Sequence, residues 1–249
     1  VIFYPSAAGI CDHPSENEVN KEVWQRLNEM PVPEDLNEKL ELLQNLLGEN
    51  VAPPLISIPD GVQGGRVVGG VAIAAKLAAK MQMQYGSGFP IPMSPEQMYD
   101  FLSLEAYFRQ VSVRTKWVVR GMSNLLAHVL DDLIKPETGS VVYLGHDTQL
   151  DGIAEIFDFD WTIPPYPDNF TPPGSAIALT VTGGPGRAPM VTAKLIYTTL
   201  GDEAGLLREA EARFTAEWGG GRNQVPYDLF RRVAENYIDR ECVTGKLAQ

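Results

Sequence analysis

An α/β fold carrying a helical insertion is predicted by three features of the sequence. Apolar residues recur at helical spacing through most of positions 1–135. A short β-branched run then meets a tight turn and a new helical repeat, and two strand-like segments follow across a glycine-rich connection. With 249 residues, 44% of them hydrophobic, the chain suffices for one large domain or two small ones. A chain of this size buries roughly three quarters of the surface it exposes when unfolded.

Taken in order, Asn17–Met30 and Glu34–Leu47 read as surface helices, the second through Leu36, Leu40, Leu43 and Leu47, and Pro31, Pro33, Pro53 and Pro54 punctuate them. Gly64-Gly65 opens a stretch in which Val67, Val71, Ala74, Ala78 and Met81 share one helical face, ending at Gly86-Ser87-Gly88. Ser94 followed by Pro95 has the form of a capped helix start. Val118, Met122, Leu125, Leu126, Val129 and Leu133 predict one further helix, stopping near Pro136.

The pattern then changes. Ser140–Leu144, short, apolar and β-branched, reads as a strand, Gly145-His146-Asp147-Thr148 as a turn, and Leu150, Ile153, Ala154 and Phe157 as a helix. Ser175–Thr182 and Met190–Thr198 read as strands joined across Gly183-Gly184-Pro185-Gly186, and Pro226 starts a last helix with Phe230, Val233, Ala234 and Tyr237 on one face. This divides the chain into a mainly helical part, 1–135, and the C-terminal part of an α/β domain, 136–249.

Charge and hydropathy exclude two classes of function. Lys and Arg number 20 against 32 Asp and Glu, a formal charge of −12, and no basic run offsets it, so nucleic acid is not an expected partner. The longest apolar candidate, Val67–Ala79, falls short of the roughly 18–20 residues a membrane span needs. An anionic small substrate stays open, because a few cations decide a pocket.

The turn at 145–148 carries the chemistry. In open α/β sheets ligands gather where strands end and helices begin, because backbone N–H groups and the positive end of the helix dipole face outward there. A histidine beside an aspartate at that edge can hold an anion and deliver a proton to a leaving group. The same residues also suit a plain helix start with Asp147 or Thr148 as the cap.

Gly145-His146-Asp147-Thr148, followed by Phe159-Asp160-Trp161 and then Thr171-Pro172-Pro173-Gly174-Ser175, resembles the C-terminal signature of the histidine acid phosphatases, the group of phytases, glucose-1-phosphatase and prostatic-type acid phosphatase. Phe3-Tyr4-Pro5 through Gly9-Ile10-Cys11 and the ending Glu241-Cys242 are similar to the corresponding regions of that family. The resemblance implies a histidine-phosphatase-like three-layer sheet domain, present as its C-terminal half, with a helical insertion domain. It implies hydrolysis of phosphate monoesters through a phosphohistidine, with inositol phosphates as one candidate class. His146 would bind the phosphate and stabilise the transition state, and Asp147 would be the proton donor. An aspartic acid must be protonated to act so, which favours acidic pH.

The family's Arg-His-Gly nucleophile motif does not occur in these 249 residues; the histidines are His13, His128 and His146. His13 lies in a loop-like Asp12-His13-Pro14 and His128 in an amphipathic helix, and neither reads as a nucleophile. The chain opens Val1-Ile2-Phe3 without an initiator Met, so the nucleophile is expected on an N-terminal segment of the same precursor, and this chain alone is expected to be inactive. The competing expectation is a catalytically inactive relative that binds phosphate ligands.

On sequence alone, Cys11 and Cys242 could be two separate thiols. The resemblance implies a disulfide between them, and with it a secreted, periplasmic or other oxidising location. Asn169-Phe170-Thr171 adds a glycosylation sequon. Arg66, Arg109 and Arg114 read as surface arginines without an assigned role, and Gly64-Gly65-Arg66 lacks the ending of a phosphate-binding P-loop. No two histidines or cysteines have metal-ligand spacing, so neither a metal nor an organic cofactor is expected.

Overall fold

The computed structural model describes residues 11–12, 15–47, 56–57, 66–67, 70–135, 139–184, 186–200, 206–215 and 217–244. The opening motif Phe3-Tyr4-Pro5, the pair Gly64-Gly65 and His13 lie outside them. Helices α1 (Glu16–Glu29), α2 (Leu36–Leu47), α3 (Gly70–Gly86) and α4 (Pro95–Ser112) form the first part, with two short antiparallel strands, β1 (Ile56–Ser57) and β2 (Arg66–Val67), between α2 and α3. Ser15 and Ser94 each close a capping box, with Glu18 and Gln97, which satisfies backbone donors that a helix start leaves free. Val67 belongs to β2, so α3 starts at Gly70, three residues later than its apolar spacing predicts.

The helix predicted over 118–133 is two, α5 (Lys116–Gly121) and α6 (Ser123–Leu133), broken at Met122. Met122 faces α7 (Asp147–Phe157). A Cβ on Gly152 of α7 would stand 2.7 Å from the Met122 side chain, so only glycine lets the elements approach this closely.

The Ser140–Leu144 strand is a correction. The segment is irregular and pairs with no strand among the described residues, leaving Val142 80% and Leu144 84% exposed. Its β-branched composition fits a pleated, covered position, and nothing described covers it.

After α7 come β3 (Phe159–Asp160), β4 (Ala176–Gly184), β5 (Arg187–Thr198), β6 (Leu207–Glu211), β7 (Arg213–Phe214) and β8 (Gln224–Pro226), then α8 (Tyr227–Tyr237). The predicted hairpin is β4–β5, with Ala176 opposite Ile196 and Thr182 opposite Met190. The other edge of β5 is shared: Met190–Thr192 pair with β8 and Lys194–Thr198 with β6. All strand pairs among the described residues are antiparallel, so the mixed α/β class stands without a parallel pair among them.

Phe157, at the end of α7, anchors the core. It stacks on Phe230 of α8 at 4.3 Å between ring centroids and meets Phe159, Phe214 and Trp218 around its rim. Such aromatic pairs contribute about 0.5–1.5 kcal/mol each beyond their burial. α7 is thereby fixed at its C-terminal end, with its N-terminal end directed away from this cluster.

Cys11 and Cys242 form a disulfide with Cα atoms 5.0 Å apart, joining the start of the described chain to a short 3₁₀ turn at Arg240–Cys242. No helix among the described residues is long and apolar enough to cross a membrane.

Candidate functional site

α7 begins where the sequence places the turn. His146 is its N-cap, in extended conformation, and its N–H donates to the Gln149 side chain at 2.6 Å. This leaves the imidazole exposed at the head of the helix. Asp147 is the first helical residue, with its side chain half exposed. Neither side chain is turned into apolar packing. An acidic group at this position also meets the positive end of the helix dipole.

The Asp147 carboxylate works with both oxygens. Oδ1 accepts from the Thr148 N–H at 2.7 Å, and Oδ2 accepts from Arg109 Nη1 at 2.5 Å. Arg109 lies on α4, and its Nη2 donates to Asp151, one turn further along α7. Asp151 is 1% exposed and also accepts from the Thr171 hydroxyl at 3.3 Å, while Arg114 stands 3.5 Å away. One guanidinium therefore bridges a surface carboxylate and an interior one.

Burial pushes the Asp147 carboxyl up, but the Arg109 guanidinium and the Thr148 amide outweigh it and hold the group below its usual range. Burial works against the charge on Arg109, and Asp151 and Asp147 more than offset it. Glu105, one turn before Arg109, behaves oppositely. Burial pushes it up to about 7, against the pull of Arg109 and with a further push from Asp147 and Asp151. Its Oε2 is buried without a hydrogen-bond partner among the described residues, which suits a group that spends neutral pH partly protonated.

The resemblance motifs further along brace this end of the molecule. Trp161 is buried, its indole N–H donates to the Phe170 carbonyl at 2.7 Å, and Arg114 lies over its ring at 5.9 Å. The Asn169 side chain accepts from the Trp161 N–H at 2.8 Å, and Thr171 is buried, so the sequon residues serve internal hydrogen bonds in the folded chain. His128 sits half-buried on α6.

The sequence-predicted pair thus lies side by side, joined by Arg109, Asp151 and Glu105, which sequence reading leaves without a role. Glu105 and Arg109 one turn apart, on a helix that buries Phe101, Leu102 and Tyr107, are the one local signal that these charges face inward. The side chain of Arg66 lies outside the described part. Elsewhere, a cavity of about 600 Å³ opens near the C-terminal end of α7, between Arg26, Arg114, Glu155, Asp158 and Arg213. No cluster of three or more metal-binding side chains occurs among the described residues.

No family model matches the sequence, and no curated protein is significantly similar to it. Solved structures are. The apo phytase of Hafnia alvei superposes with a TM-score of 0.75 at 21% identity, covering 98% of this chain and 70% of that one. The same enzyme in complex with myo-inositol hexakis sulphate gives 0.76 at 20%, with the same coverage. The phytase of Citrobacter braakii gives 0.74 at 19%, covering 98% and 71%. At such identities the likeness is one of fold.

Proposed function

We propose that this chain is the larger part of a histidine acid phosphatase that hydrolyses phosphate monoesters at acidic pH, inositol phosphates among its candidate substrates. The observation that carries the reading is the exposed His146 and half-exposed Asp147 at the head of α7, in a chain whose fold follows phytases over 98% of its length. A phytase solved with a hexakis sulphate ligand supports the substrate class. On this reading 136–249 belong to a three-layer α/β catalytic domain and 1–135 to its helical partner. The disulfide suits a secreted or periplasmic setting.

The chemistry runs in two steps. A histidine nitrogen on the N-terminal segment of the same precursor attacks phosphorus, and the bond from phosphorus to the ester oxygen breaks. The departing alkoxide takes the proton of Asp147, and His146 stabilises charge on the phosphoryl oxygens. Water then attacks the phosphohistidine while the Asp147 carboxylate receives its proton, which restores the starting state. General acid help of this kind is typically worth about 10²- to 10⁴-fold. The exposed side chains of Val141, Val142 and Leu144 beside the turn support a further strand from that segment.

A second reading, a relative that binds phosphate esters without turning them over, is favoured by the lack of an Arg-His-Gly motif in these 249 residues. The test is hydrolysis of myo-inositol hexakisphosphate near pH 5 by the product of the complete reading frame. Phosphate release that Asp147→Asn strongly reduces supports the enzyme. Binding without release supports the second reading.

A further inference from the structure

We propose that Arg109 is a positioning residue for Asp147: anchored inside the protein by Asp151, it fixes the carboxyl at the head of α7 and sets how acidic the medium must be before that carboxyl carries a proton. The inference rests on Asp147 being the proton donor.

The geometry is asymmetric. The Arg109 side chain is only 12% exposed, and its inner partner Asp151 is 2% exposed, whereas Asp147 is 50% exposed. Arg109 cannot swing away without taking its Nη2 donor from a buried carboxylate, so its hold on Asp147 is built into the ion pair by which Asp151 anchors it. A planar guanidinium also fixes direction as well as charge, which a mobile lysine would not.

The charged groups around Asp147 leave Arg109 as the one cation joined to it by an ion pair among the described residues. From α4 come Arg109 and Glu105, whose carboxyl Arg109 pulls down while Asp147 and Asp151 push it up. From α7 comes Asp151, and the exposed His146 adjoins along the backbone. Arg114 is engaged with Asp151 and with the Asn169 carbonyl. On α5 and α8, which also pack against α7, Arg120 is held by Asp239 and Arg231 by Glu235. Deleting Arg109 therefore removes the main stabiliser of the Asp147 carboxylate.

The test uses the product of the complete reading frame labelled with ¹³C at aspartate carboxyls, with Asp147→Asn assigning the resonance. In Arg109→Gln the Asp147 titration midpoint rises, and the alkaline limb of the pH–rate profile rises with it. Arg109→Lys keeps much of the wild-type midpoint. The double variant Arg109→Gln/Asp151→Asn, which strands no buried carboxylate, shows the same rise and covers the event that the single variant does not fold. A midpoint that stays put or falls in the folded variants overturns the role of Arg109, whatever the turnover. A raised midpoint in a protein that hydrolyses no phosphate ester supports the hold on Asp147 and refutes the phosphatase reading instead.

Discussion

Arg109 Nη1 and Asp147 Oδ2 meet at 2.5 Å although 38 positions separate them in sequence. The contact ties helix α4 to the head of α7, and it continues inward to Asp151. A surface ion pair alone would contribute little, because water screens it. The interior half decides the energetics.

Asp151→Ala leaves Arg109 and Arg114 facing a void where their carboxylate stood. Breaking a buried pair by removing one partner typically costs about 3–5 kcal/mol, so urea unfolding should show a loss of that order. A loss below about 0.5 kcal/mol, the range of ordinary surface substitutions, would mean that the network does not hold α4 to α7.

Glu105 gives a pH dependence of definite sign. Its folded-state value of about 7 lies above the ordinary glutamate value of 4.5. The folded protein then binds this proton more tightly than the unfolded chain does, so the contribution to stability is present below about pH 4.5 and fades as pH rises through about 7. Glu105→Gln should leave stability near pH 4 unchanged and raise it relative to wild type near pH 8. Equal stability differences at both pH values would contradict the assignment.

The Cys11–Cys242 bridge closes a loop spanning 231 positions and ends on a fully buried cysteine. Native bridges of this kind contribute about 2–5 kcal/mol. The Cys11→Ser/Cys242→Ser pair should unfold at correspondingly lower denaturant, and nonreducing peptide mapping of the wild type should recover the two cysteines in one linked fragment. Two free thiols would end the claim.

Val142 and Leu144 offer a check on the proposed covering strand. Both are almost fully exposed in the described chain. If a strand from the same precursor covers them, Val142→Lys or Leu144→Lys should cost the complete gene product about 1.5–3 kcal/mol, the worth of burying such a side chain. A cost within about 0.5 kcal/mol, usual for open surface, would contradict the covering strand.

Much of the fold was legible because it is local. The helix start at Ser94, the repeat in α2 and the glycine-rich hairpin of β4 and β5 are all written within a few residues. The break at Met122 was not, because the apolar spacing runs through it from Val118 to Leu133 without interruption. Nor was β6, whose exposed, charge-rich run Leu207–Glu211 gains its strand character from pairing with β5. The same division holds at the site. The turn at 145–148 announces itself by sequence, while Arg109 and Asp151 become partners only through tertiary packing. The apolar run before the turn reads as a strand by its composition, but strand structure needs a partner, and none pairs with it among the described residues.

The most direct test of the central claim, that Asp147 protonates a leaving alkoxide, compares two substrates in the product of the complete reading frame near pH 5. Glycerol 2-phosphate must expel a strongly basic alkoxide, whereas 4-nitrophenyl phosphate expels a weakly basic phenolate that needs little help. Asp147→Asn should cut turnover of the first by roughly 10²- to 10⁴-fold and that of the second far less. Equal losses on both esters, or none on either, would contradict the account.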